Sequence, residues 1–336
     1  MANLAMPKRP RGRPSAAVQA EYAAALAAWC DGIKEIASSS DFRVSSRGWC
    51  YLLEPHGLDK GDFDVAQALI NDCRKSGLLP LDICCEDDGR AAEHLEDLDD
   101  SDPEQRAAEV VDYIERAHLY YVPYSFWDGQ DTYVEMLVEK VDLKSLFSVV
   151  CERYRVPLTN ASGWMDLHCR AAMMRRFRKW QSRGKRCVLL YCGDHDPGGL
   201  RISGNIRKNF EDMSRAVGWS PDELIIDRFG LNRDFIDANG LTWIGNLSTS
   251  KGGALDDPEH NDHHKEYVQS YIEQFGARKV EANALVIRPV EGRELCRRAI
   301  LRYLPEDAPE KYEASLLSPR EQMRQGIRFM LGQEDD

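Results

Sequence analysis

Four short apolar runs punctuate the second half of the chain: YVEMLVE at 133–139, VPLTN at 156–160, CVLLYCG at 187–193 and ELIIDRF at 223–229. Between them lie segments with helical spacing, at 142–154, 166–181 and 199–215. Strands alternating with helices predict βαβ units and an α/β fold whose parallel sheet is flanked by helices and buried on both faces. The first half reads differently. Residues 16–36 are Ala-rich and helical in propensity. Ser45 or Ser46 can cap a helix carrying Arg47, Trp49, Cys50 and Tyr51. A second helix over 62–75 aligns Phe63, Ala66, Leu69, Ile70 and Cys73 on one stripe. Gly77 ends it, and LLPLDIC follows as an expected short strand, so helices precede a short strand pair.

The 336 residues suggest two folded units at about 150 residues each. Residues 1–15 read as a basic disordered tail, 16–86 as a helical DNA-binding domain, 87–119 as an acidic linker or helix, 120–305 as the sheet domain and 306–336 as a C-terminal tail. A hydrophobic content of 43% supports a buried core. No run approaches the roughly 18 apolar residues of a membrane span, and no apolar signal core opens the chain. The ten cysteines include no CxxC pair, which argues against a zinc ribbon and for reduced thiols in a cytoplasmic protein. Secretion, membrane insertion and a disulfide framework are the classes set aside.

Lys+Arg 44 against Asp+Glu 56 leaves a net charge of −12, but the acids concentrate between Glu86 and Glu115. Positive charge gathers in the first fourteen residues and between Arg170 and Arg186. A local face can therefore meet nucleic acid despite the global sum. Arg11-Gly12-Arg13-Pro14 resembles an AT-hook, whose arginines enter a narrow minor groove. Arg175 and Arg178, with Arg170, Arg176 and Lys179, make a basic helix face interleaved with Phe177 and Trp180, suited to phosphate contact or simply solvated.

The sharpest chemistry sits in YCGDHDPGGLRIS, residues 191–203. An apolar strand runs into Asp194 and Asp196, which share a face if the segment is extended, while His195 points away. Pro197 suits the first turn of a following helix. The preceding strand VEMLVEK ends in Glu139-Lys140, and Glu135 shares the face of Glu139. Were the two strands neighbours, Glu139, Asp194 and Asp196 would converge where α/β sheets place their sites. Three carboxylates repel one another unless a hard cation, Mg²⁺ or Mn²⁺, lies between them. Lys140 can touch phosphate or be a solvated strand-end lysine. His260, His263 and His264 read as a solvated loop rather than a metal site, and Trp127 belongs to the entry of the sheet.

Val138-Glu139-Lys140 followed by Gly193-Asp194-His195-Asp196-Pro197-Gly198-Gly199 resembles the Toprim domain of the family of the topoisomerase VI A subunit and the meiotic double-strand-break protein. Arg47-Gly48-Trp49-Cys50-Tyr51 is similar to the R-x-x-[FY]-Y motif of that family's winged-helix domain. The resemblance covers most of residues 40–290 and is nearest to short bacterial or phage-type relatives. It implies a winged-helix domain before a Toprim domain, a Mg²⁺ site at Glu139, Asp194 and Asp196, and Tyr51 as the nucleophile that cleaves double-stranded DNA. It further implies a 5′-phosphotyrosyl intermediate formed by Tyr51 of one subunit at the metal of another, hence a homodimer. Cys50 stands where the family has an aromatic, and the 246–267 region departs from the pattern. No GHKL-type ATPase segment is present, so strand passage would need a separate ATPase partner.

A free tyrosine has a pKa near 10 and is a weak nucleophile toward a phosphodiester. Arg47, one helical turn before Tyr51, can grip a phosphate and favour the phenolate. Three other functions compete: a Toprim nuclease that hydrolyses DNA with water, a non-catalytic DNA-binding module, and metal-dependent phosphoryl transfer on another substrate.

Overall fold

The β-branched and aromatic runs form four parallel strands, β1 (Thr132–Val138), β2 (Leu158–Asn160), β3 (Arg186–Cys192) and β4 (Ile225–Gly230), in a computed structural model that describes residues 4–85, 99, 101–161, 167–249 and 253–332. The order is β2-β1-β3-β4. Thus β1 and β3 are central neighbours, and their last residues, Val138 and Cys192, pair directly. Every residue of β1 is buried, as a parallel strand covered on both faces requires.

The helices are α1 (Ala16–Ser38), α2 (Ser46–Leu53), α3 (Phe63–Lys75), α4 (Pro103–Arg116), α5 (Val141–Arg153), α6 (Leu167–Gln181), α7 (Pro197–Leu200), α8 (Ile202–Glu211), α9 (Ser214–Val217), α10 (Arg233–Asn239), α11 (Glu266–Phe275), α12 (Pro289–Leu301) and α13 (Ala308–Met330). The strand and helix expectations hold to within a few residues, except that 199–215 is split among α7, α8 and α9. Among the described residues no helix is long and apolar enough to cross a membrane.

Three expectations need correction. LLPLDIC is not a strand: Leu81–Ile83 is a 3-10 turn, and only Cys84 makes a lone bridge, parallel to Val44. Pro80 offers no N–H, and the carbonyls a partner strand would use are taken by side chains. Arg74 donates to Leu81 O and the Trp49 indole to Ile83 O. Second, the segment expected as a disordered tail is anchored at Leu4 and Met6: Leu4 donates its N–H to His56 O, and both side chains pack against the core. Of the linker and the helix expected over 87–119, the helix forms after Ser101, as α4 capped by Asp102; residues 86–98 lie outside the described residues. Third, residues 308–330 are not a tail but a helix that buries Tyr312 and Leu316.

The helical N-terminal region is stapled to the sheet region through buried Asp142 on α5. Its carboxylate accepts the Ser45 N–H, the Ser45 hydroxyl at 2.7 Å and the Asn283 amide at 2.6 Å. A Cβ on Gly48 would lie 2.8 Å from that carboxylate, so only glycine lets α2 approach so closely.

Candidate active site

Glu139 is the first residue beyond β1, where its N–H still donates to Cys192 O at 3.0 Å. Its Oε2 accepts the Asp194 N–H at 2.9 Å and the Tyr191 hydroxyl at 3.2 Å. The Lys140 ammonium bridges the two acids, 3.0 Å from Glu139 Oε1 and 2.9 Å from Asp194 Oδ2. Asp194 Oδ1 accepts the Ala282 N–H at 2.7 Å. That N–H comes from a segment, 279–287, zipped onto the loop after β3 by reciprocal backbone bonds between His195 and Val280.

Two glycines of the motif make this packing possible. A Cβ on Gly193 would stand 2.6 Å from Glu139 Oε2, and one on Gly199 only 2.1 Å from Asp194 O. Arg228 clamps the same loop from β4, donating to the carbonyls of Gly199, Asp194 and Leu231.

The strand-end acids thus come together, but as a pair. Asp196 Oδ1 caps α7 by accepting the Gly199 N–H at 2.5 Å. Among the described residues no three His, Cys, Asp or Glu side chains gather as a metal-holding group. The reason is local: Asp196 is still in extended backbone, but Pro197 starts α7 at once and the Asp196 carboxylate turns to cap that helix. His195 does point away, its ring among Trp243, Tyr271 and Phe275.

Electrostatics divides the pair. Burial, then the charge of Glu139, pushes Asp194 up to about 7. Burial opposes the charge of Glu139 too, but Lys140 and the Asp194 N–H outweigh it and hold that carboxyl below its usual range. Two carboxylates facing one ammonium form a donor set that also fits Mg²⁺ or Mn²⁺, which bind through one or two carboxylates and take waters and phosphate oxygens for the rest.

Ser45 caps α2, accepting the Gly48 N–H at 3.1 Å, and the helix sets Arg47 and Tyr51 one turn apart. Both end on Glu281. The Tyr51 hydroxyl donates to Glu281 Oε2 at 2.7 Å, and the Arg47 guanidinium holds the same carboxylate at 3.2 Å. Tyr51 is fully buried, edge-on to Phe63 and beneath the Lys60 ammonium 4.7 Å from its ring. Burial and the Glu281 charge push its hydroxyl well above the ordinary tyrosine value. Glu281 is kept charged: burial disfavours ionisation, but Arg47 and the Tyr51 hydrogen bond lower its carboxyl. Ala282, the next residue, binds Asp194, so tyrosine and strand-end acids of one chain adjoin across two residues of backbone.

Other candidates scatter. Arg11, Arg13 and Arg175 are exposed, away from these contacts. Arg178 is tied to Val217 O at 2.9 Å. Arg176 turns inward to Glu135, which lies within β1 and not at the strand end. His263 binds Leu255 O within its own loop. Glu281 and Arg228 were not singled out from sequence; the signal for Glu281 was a charged residue inside the apolar run VEANALVI. No protein-family model, curated protein or solved structure matches this chain.

Proposed function

We propose that this chain cleaves double-stranded DNA in the manner of a topoisomerase VI A subunit, through Tyr51, with α1–α3 serving as a winged-helix-like DNA-binding unit and the sheet as a Toprim-like one. One observation carries the reading: Glu281 accepts the Tyr51 hydroxyl while its neighbour Ala282 holds Asp194. In the reaction Tyr51 yields its proton to Glu281, and its oxygen attacks phosphorus. The 3′ oxygen leaves and takes a proton from solvent, so a 5′-phosphotyrosyl bond replaces the broken phosphodiester bond. Arg47 is placed to steady the phosphate and Lys140 to contact a neighbouring one. A Mg²⁺ or Mn²⁺ ion held by Glu139 and Asp194 would supply positive charge at the scissile phosphate. The tyrosine has no access to DNA while Tyr51 stays covered, so the reading requires the contact between α2 and Glu281 to open on the substrate.

That burial favours one competitor, hydrolysis by water at the acids with Tyr51 as a packing residue. Supercoiled plasmid incubated with Mg²⁺ or Mn²⁺ and stopped with denaturant separates the two. Protein covalently joined to 5′ ends, lost in Tyr51→Phe, supports the proposal. Cleavage that persists in Tyr51→Phe without adducts establishes the hydrolytic alternative.

A further inference from the structure

The chain turns back directly after α2. Gly57 adopts a left-handed φ of 104°, the Leu58 N–H returns to Leu53 O, and a 3-10 turn at Lys60–Asp62 leads into α3. That reversal lays the Lys60 side chain over the tyrosine of α2. Its ammonium sits 4.7 Å from the centre of the Tyr51 ring and 5.6 Å from that of Phe63. Glu54 is the carboxylate paired with it, at 3.5 Å, longer than a good hydrogen bond. Neither the ammonium nor the facing Glu54 oxygen has a hydrogen-bond partner, and both atoms are buried. Burial lowers the ammonium's pKa against the pull of Glu54. A cation kept from water with its donors unused costs stability, and a loose ion pair does little to offset that. Such a group against a candidate nucleophile points to a role in the chemistry.

Arg47, Tyr51, Glu54 and Lys60 all belong to the helical N-terminal region, whereas Glu281 belongs to the sheet region. The cleavage reading, on which this inference rests, requires the two to part on the substrate. The Tyr51 proton passes to a Glu281 oxygen while they touch, and Glu281 then stays with the sheet. Arg47 is engaged with Glu281 and Asp64 and is the group placed to meet phosphate. Lys60 travels with the tyrosine. The charge left on the phenolate oxygen spreads into the ring beneath that ammonium. Over a neutral ring a cation is held by the quadrupole alone, but over a phenolate it faces a full opposite charge. It therefore favours the ionised nucleophile over the neutral one. We propose that Lys60 is a positioning residue of the cleavage reaction, holding the Tyr51 ring and stabilising its phenolate through the ring face once Glu281 has taken the proton.

The test is the single-turnover rate of covalent adduct formation on supercoiled plasmid with Mg²⁺, measured beside plasmid affinity by filter binding. Lys60→Met should slow adduct formation about ten- to thirtyfold with affinity unchanged, and Lys60→Arg should restore most of the rate. Glu54→Gln should react at the wild-type rate, since it removes the ion pair but keeps the cation. Should Lys60→Met fail to fold with Glu54 left unpaired, Glu54→Gln/Lys60→Met removes both ends of the pair and is expected to be as slow. Equal losses in Glu54→Gln and Lys60→Met would make Lys60 a packing ion pair and overturn the proposal. So would an unchanged rate without the lysine, or a loss of affinity that accounts for the lost rate. In each of those cases wild type still forms adducts that Tyr51→Phe abolishes. A wild type that forms none overturns the cleavage reading itself, and the role of Lys60 with it.

Discussion

Two glutamates four residues apart, one within β1 and one just past its end, have similar partners and opposite settings. Glu135, in the middle of β1, accepts the Tyr133 hydroxyl at 2.8 Å and both arms of Arg176, at 2.9 and 2.8 Å, with no exposure at all. Glu139, just beyond the strand, meets the Tyr191 hydroxyl and the Lys140 ammonium, with its side chain 27% exposed. Burial lifts the carboxyl of Glu135 even against Arg176, whereas Glu139 is held low. The lesson is about satisfaction. The fork of Arg176 saturates both oxygens of Glu135 and fixes α6 on the sheet. The single ammonium of Lys140 is shared between Glu139 and Asp194, sits at the edge of solvent and can give way to another cation or turn to a phosphate.

Glu139→Gln is the strongest challenge to that contrast. It should lower plasmid cleavage by about a hundred- to a thousandfold, while the urea midpoint moves little. A loss of stability as large as that of Glu135→Ala would erase the distinction between the two acids. For Glu135→Ala itself, urea denaturation should show a loss of about 3 kcal/mol, because Arg176 and the buried Tyr133 hydroxyl lose their partner. Cleavage per folded molecule should stay near wild type.

Glu281→Gln sharpens the comparison by testing whether the strand-end network extends to α2. Covalent adduct yield should fall about ten- to a hundredfold, with Arg47 and Tyr51 still packed as judged by tyrosine fluorescence. An unchanged yield would detach Tyr51 from this site. The smallest effect is expected at the staple. Ser45→Ala removes the cap of α2 and one bond to Asp142, and thermal or urea unfolding should report a loss of about 1 kcal/mol.

Much of the frame was legible in the chain. The apolar runs at 133–139 and 187–193 placed both central strands, and of the two serines that could cap α2 the structure uses Ser45. The motif at 193–199 located a strand-end turn, and its glycines proved to be sites of close approach. Asp196 stands apart from that pair because its carboxylate caps the helix that Pro197 starts, a contact that the period-two spacing does not register. The 77–84 segment was misjudged because Trp49 and Arg74, from other helices, claim the carbonyls of an apparent strand. Glu281 was missed because Tyr51 lies 230 residues away from it.

What the sequence determined by itself is therefore local. Periodicity, caps and turns depend on neighbours within a few residues, and those interactions are present in any short stretch of chain. Tertiary structure alone decided that Glu135 is a structural ion pair and Glu139 an open one. It alone set Lys140 between two acids and Glu281 on Tyr51. Each of these depends on which distant backbone arrives to satisfy or bury a polar group, and that follows from the packing of the whole chain.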